Sequence, residues 1–201
     1  MTWIKTIPFD EAKGRLRTLY DRIRAPGGQI DNIMAAHSLR PHSMEGHMAL
    51  YKNVLHHNAN TLPKWFLEAV GLYVSLLNAC DYCAEHHFAG MARHLEDDGR
   101  ARAIRAALEA GTPDGAFAGA ELEALRYARA LTVAPASLGE AEAETLRGAG
   151  YSDGEILELN QVTAYFAYAN RTVLGLGVTT AGEVLGLSPG DSEDPENWTH
   201  D

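Results

Sequence analysis

The sequence predicts an all-α fold of roughly eight helices in one domain. Three observations carry this. Apolar residues recur three and four apart along most of the 201 residues, the spacing that puts side chains on one helix face. No segment alternates apolar and polar residues between hairpin turns, as a half-buried strand would. All eight prolines fall at inferred helix ends, in loops or in the C-terminal stretch, positions where a missing N–H does no harm.

Residues 1–8 read as an extended lead-in. From Pro8 to about Arg24, Phe9, Ala12, Leu16, Leu19, Tyr20 and Ile23 form a helical face, and Pro26-Gly27-Gly28 stops it. Ile30 to Leu39 suits a short helix. Pro41 opens the next, which runs to about His57 through Met44, Met48, Tyr51, Val54 and Leu55. Pro63 suits another start, and Trp65 to Leu77 follows as a nearly all-apolar helix. Such a helix belongs at the centre of the core or in a subunit interface. Glu68 stands out in it, because a buried carboxylate is costly unless paired; the plainer reading is a solvated position near the helix start.

The next helix carries both cysteines and runs to about Leu95, closed by Glu96-Asp97-Asp98-Gly99. Asn78 is expected to cap it, with Cys80 in the first turn and Asp81 at the third position. Arg100 to Ala110, Ala120 to Thr132, Gly139 to Arg147 (capped by Ser137) and about Gly154 to Leu174 complete the set. Ser152 or Asp153 caps the last of these, and Gly175, Gly177 and Val178-Thr179-Thr180 end it. Residues 1–187 are thus read as the domain and 188–201 as an acidic, mobile tail.

A formal net charge of −10 argues against nucleic acid and anionic membrane surfaces as partners. No apolar run approaches the ~20 residues of a membrane span, and no secretory signal is visible at the start. A cytoplasmic, reducing location is expected, where a close cysteine pair is catalytic or metal-binding rather than a structural staple.

The chemistry concentrates in Asn78-Ala79-Cys80-Asp81-Tyr82-Cys83-Ala84-Glu85-His86-His87. It holds both cysteines of the chain in a Cys-x-x-Cys-x-x-x-His pattern. On a helix, Cys80, Cys83 and His87 form one stripe. Cysteine α-carbons one turn apart lie roughly 5–6 Å from each other, within disulfide range. Backbone N–H groups near a helix start stabilise a thiolate, and His87 can take the proton of the Cys83 thiol. Asp81 opposes this by raising the thiol pKa values. Plainer readings are two buried small residues or a zinc site, although three ligands are fewer than structural zinc takes. His86 can compete with His87. The histidines His37, His42, His47, His56 and His57 read as core-edge or partly exposed residues rather than ligands. Asn170-Arg171 reads as a helix-end salt bridge or an interface contact.

Glu68, twelve residues before Cys80, together with the cysteine motif, resembles the active-site pattern of the AhpD-like alkylhydroperoxidases of the carboxymuconolactone decarboxylase superfamily. Ala35 to Pro41, Ser75-Leu76-Leu77-Asn78, Leu146 to Asp153 and Asn170-Arg171 resemble its longer, peroxidase-related branch. The likeness covers most of residues 4–178. It implies an all-helical AhpD-like bundle, assembled as homo-oligomers, that reduces organic hydroperoxides. It further implies Cys83 as the peroxidatic thiol, Cys80 as the resolving one, and His87 with Glu68 as proton carriers. The family pattern has a histidine directly before the second cysteine; here Tyr82 stands there. A tyrosine donates a hydrogen bond but is a poor base near neutral pH, so the relay shortens to Glu68–His87 or reaches His86. The substrate expected is an organic hydroperoxide and the partner a thiol reductant; no cofactor or metal is called for. A thiol–disulfide carrier is the alternative, with a lactone decarboxylase and a zinc-binding scaffold behind it.

Overall fold

A computed structural model describes residues 2–25, 27–190 and 192–200. The described residues form nine α-helices, eight of them of seven residues or more, and no strand. The helices are α1 (Gly14–Ile23), α2 (Asn32–Ala36), α3 (Pro41–Leu55), α4 (Lys64–Leu77), α5 (Asp81–Leu95), α6 (Asp98–Glu109), α7 (Gly119–Val133), α8 (Glu140–Gly148) and α9 (Asp153–Leu176). The fold is all-α, as the periodicity requires. Pro26, read as part of the stop after α1, lies outside the described residues.

α4 is the central helix. Every residue from Phe66 to Ser75 is buried, and α3, α5, α6, α7 and α9 all pack on it. Its all-round apolar surface is therefore consumed inside the chain and needs no partner subunit to cover it. α9 lies across α4 at Gly71, where an added Cβ would sit 2.2 Å from the Phe166 ring; only glycine permits that approach. α9 itself starts in a capping box: Ser152 Oγ accepts from the Glu155 N–H, and Glu155 accepts from the Ser152 N–H at 2.8 Å. Gly177 closes it in the left-handed conformation. No helix among the described residues is long and apolar enough to cross a membrane.

Two inferred caps change. Asn78 ends α4 rather than starting α5, its N–H bonded to the Val74 carbonyl at 3.1 Å. Cys80 takes the N-cap position of α5, so Asp81 is the first helical residue and Cys83 the third. The cause is Ala79, whose φ of 53° turns the chain sharply between the helices; a left-handed alanine costs about 1–2 kcal/mol. Ser137 bonds back to the Ala134 carbonyl, and Gly139 occupies the position before α8.

The stretch read as a mobile tail is anchored at its two ends, where Ser188, Pro189, Trp198 and His200 are buried, while residues 193–196 and Thr199 are exposed. Trp198 is 2% exposed, Ser188 4% and His200 3%. Arg22 of α1 stacks over the Trp198 ring at 3.8 Å, and the indole N–H donates to the Pro195 carbonyl at 2.9 Å. The buried Lys52 ammonium of α3 donates to the carbonyls of His56 and Gly190, tying the segment down. Acidic composition hid a large aromatic anchor, and burying one such ring outweighs several solvated charges.

Candidate active site

The three-residue link between α4 and α5 makes them an antiparallel pair. The end of α4 thus faces the start of α5, and Glu68 near the start of α4 faces residues a turn or more into α5. Cys80 and Cys83 are free thiols, both buried, with their sulfurs 2.9 Å apart. The Cys80 N–H is fixed on the Ser75 carbonyl at 2.9 Å. Their surroundings are Tyr82, Ala36, Val173 and Val178, with the buried Asn170 beside them. Asn170 accepts from the Asn78 amide at 2.9 Å and donates to Ser75 Oγ at 3.1 Å. Its side chain favours the charged form of both thiols.

The two thiols titrate as one unit. The hydrogen bond from Cys83 holds Cys80 below the usual thiol range, against burial. The same bond, together with burial and the neighbouring charge, pushes Cys83 well above it. One proton leaves the pair readily and the other is retained between the sulfurs. Only Cys83 of the two opens onto a cavity of about 50 Å³.

Glu68 lines that cavity at 2% exposure, so the solvated reading is wrong. Its Oε2 lies 2.6 Å from His87 Nδ1. Burial works to raise the carboxyl, but the charges of His87, His56 and His94 and the His87 hydrogen bond outweigh it, leaving its pKa below the ordinary value. An ionised carboxylate only accepts. His87 Nδ1 therefore donates in this bond, and the carboxylate fixes the orientation of the ring. Phe166 packs edge-on against the His87 ring at 4.3 Å. Gly90, one turn past His87, leaves room for the carboxylate: an added Cβ would sit 3.1 Å from it.

Tyr82 and His86 are turned elsewhere. The Tyr82 hydroxyl donates to Glu183 Oε1 at 2.9 Å, and His86 Nε2 is 3.3 Å from Glu183 Oε2. The Asn32 N–H also bonds Glu183, and the Ile33 N–H donates to the Tyr82 oxygen at 3.3 Å. Burial, with Glu183 and Asp31 nearby, drives the Tyr82 hydroxyl well above the usual phenol range, so it stays neutral. Asp31 lines the same cavity, its carboxyl pushed up to about 6 by burial, opposed by His86 and supported by Glu183. His86 therefore belongs to a second carboxylate and does not compete for Glu68.

Sequence reasoning missed Glu183, Asp31 and His200, which line or edge the site from distant segments, and it misplaced two further residues. Asn170, taken for a helix-end contact, is fully buried at the thiols. His56, taken for a core-edge residue, is 1% exposed with Nε2 3.7 Å from Glu68 Oε1. Asparagine in the apolar face of α9 was the one local signal available, since buried amides demand partners. Among the described residues, the only His, Cys, Asp or Glu group of three with donors close enough for one metal ion is His56, Glu68 and His94. The cysteine motif does not form such a group.

No protein-family model matches the sequence, and no curated protein matches it. The fold, however, is that of known structures. A peroxidase-related protein from Ralstonia eutropha JMP134, described as an alkylhydroperoxidase AhpD core, superposes with a TM-score of 0.78 over 89% of this chain and 91% of its own, at 18% identity. A peroxidase-related protein from Silicibacter sp. TM1040 gives 0.70 over 88% and 87%, at 23% identity. The debrominase Bmp8 gives 0.69 over 87% and 89%, at 20% identity. The chain thus has an AhpD-like, all-α fold.

Proposed function

We propose that the chain is a thiol peroxidase that reduces organic hydroperoxides through Cys83 and Cys80. The observation that carries this reading is a buried thiol pair of which only Cys83 meets the cavity that also holds the Glu68-oriented His87. The proton that leaves first is taken by His87 Nε2, and the remaining one passes along the sulfur–sulfur hydrogen bond to Cys80, which puts the negative charge on Cys83. The Cys83 thiolate attacks the distal peroxide oxygen. The O–O bond breaks, the alkoxide takes a proton from the imidazolium and leaves as an alcohol, and Cys83 becomes a sulfenic acid. The Cys80 thiol attacks the sulfenic sulfur, its own proton passes to the departing hydroxyl, and water leaves as the disulfide forms. An external dithiol then reduces the disulfide by exchange and is itself oxidised. Tyr82 positions Glu183 in this scheme and takes no proton. A homo-oligomer is part of the same reading, with Leu157, Tyr168 and Leu174 of α9 exposed for it.

A second reading is reductive dehalogenation. It is supported by the Tyr51, Tyr165, Met34 and Met48 lining of the cavity and by the likeness to the debrominase, one structure of which is a cysteine variant bound to 2,3,4-tribromopyrrole. Two thiols would convert a carbon–bromine bond to carbon–hydrogen, releasing bromide and leaving the same disulfide.

The deciding experiment is intact mass with thiol counting on reduced, metal-free protein, before and after one equivalent of an organic hydroperoxide. Loss of both thiols with a loss of two hydrogens is expected. Two free thiols and an unchanged mass overturn the peroxidase reading. Running 2,3,4-tribromopyrrole in parallel and measuring bromide separates the second reading, and a protein disulfide as oxidant separates a disulfide carrier.

A further inference from the structure

At the Glu68 carboxylate three elements converge. His56 lies at the residue that ends α3, Glu68 in α4, and His94 in the last turn of α5. One donor atom from each lies within 4.8 Å of the other two. The geometry points to a binding site for a first-row divalent cation at His56, Glu68 and His94, with zinc as the reference ion.

The spacing is that of ligands rather than of a hydrogen bond. His56 Nε2 and Glu68 Oε1 are 3.7 Å apart, beyond the 2.7–3.2 Å range of N–H···O bonds. Two ligands on one tetrahedral ion, each about 2.1 Å from it, stand about 3.4 Å from one another. The small adjustment required is available to side chains at the end of one helix and in the last turn of another. His94 Nε2 is buried and makes no hydrogen bond, which is costly for a ring nitrogen unless something else takes its lone pair. Two imidazoles and one carboxylate suit zinc, iron, cobalt and manganese, and leave positions open for water. Burial adds to the affinity, because a desolvated carboxylate attracts a cation more strongly than one in water.

The carboxylate has one oxygen for each neighbour. Oε1 faces His56 and Oε2 holds His87. A bound cation would draw charge from the oxygen that orients His87. If His87 is the proton carrier of the proposed peroxidase cycle, as this consequence assumes, occupancy slows thiol oxidation. The site would then be inhibitory, and the metal-free protein the active one.

The test uses the full-length protein stripped with a chelator. Isothermal titration with Zn2+, and with Mn2+ and Fe2+ in separate anaerobic arms, is read beside metal content after desalting. The Cys80→Ser, Cys83→Ser double variant is run in parallel so that thiols cannot hold the ion. One zinc per chain is expected in both proteins. The His94→Gln variant should lose at least about tenfold in affinity. Zinc lost from the double-serine variant, or held equally by His94→Gln, overturns the proposal. Should His94→Gln fail to fold, X-ray absorption of the zinc-loaded wild type decides: a nitrogen and oxygen shell is expected, and a sulfur shell overturns it. Thiol oxidation is measured separately on metal-free protein, so a failure of the peroxidase reading cannot be confused with a failure to bind metal.

Discussion

At the residue scale the site turns on two carboxylates with opposite electrostatics. Glu68 is held ionised by its histidines, whereas Asp31 is pushed toward its neutral form. His87→Ala should slow hydroperoxide-driven thiol oxidation by about 10²–10⁴-fold, the usual yield of a general acid–base. Glu68→Gln should cost less, because the imidazole remains while its tautomer is loosened; stopped-flow thiol loss checks both. The pH dependence follows from the directions. A depressed Glu68 pKa gives stability that is present above about pH 4.5, its ordinary value, and is lost as pH falls through the lower folded value. Asp31 runs the other way. Its folded pKa of about 6 lies above the ordinary 3.8, so between those values the folded state binds more protons than the unfolded one. Stability then falls as pH rises across that window, by on the order of 2–3 kcal/mol. Asp31→Asn should flatten this slope in thermal melts from pH 4 to 6; an unchanged slope would assign it to another group.

At the element scale the function depends on the α4–α5 pair and on α9 lying across it. The stripe Cys80, Cys83 and His87 was legible as a period of three and four, and Glu68 as the odd charge in an apolar helix. The start of α5 was not legible. Asn78 is a good cap residue, but Ala79 breaks the helix geometry before a cap at Asn78 could serve α5. Gly71→Ala tests the helix crossing. Its new Cβ meets the Phe166 ring, a rigid side chain, so a destabilisation of about 1–3 kcal/mol is expected from denaturant titration. Displacement of Phe166, which packs on His87, should slow thiol oxidation in the same variant.

At the scale of the whole molecule, the segment after α9 completes the cavity. Gly186, Leu187, Ser188 and His200 line it, and Glu183 is bonded to Tyr82 and His86. Trp198 anchors the segment. Trp198→Ala should cost about 3–5 kcal/mol, as for other buried aromatic truncations, and should also increase alkylation of Cys83 by a bulky maleimide at low denaturant. Loss of stability without greater thiol access would mean that the segment holds its course over the cavity without the indole.

The sequence by itself determined the helical class, the burial of α4 in either the core or an interface, and the stripe that carries the thiols and His87. These are local properties, set by the period of apolar residues and by turn-forming residues between them. The pairing of Glu68 with His87 was readable only as a matching offset, because a carboxylate's environment is not encoded at its own position. Tertiary structure alone decided which histidine Glu68 takes, that Tyr82 and His86 serve Glu183, that Asn170 sits at the thiols, and that Trp198 and His200 of the acidic C-terminal stretch are buried. Each joins residues far apart in the chain, and neither helical period nor composition carries information over such distances.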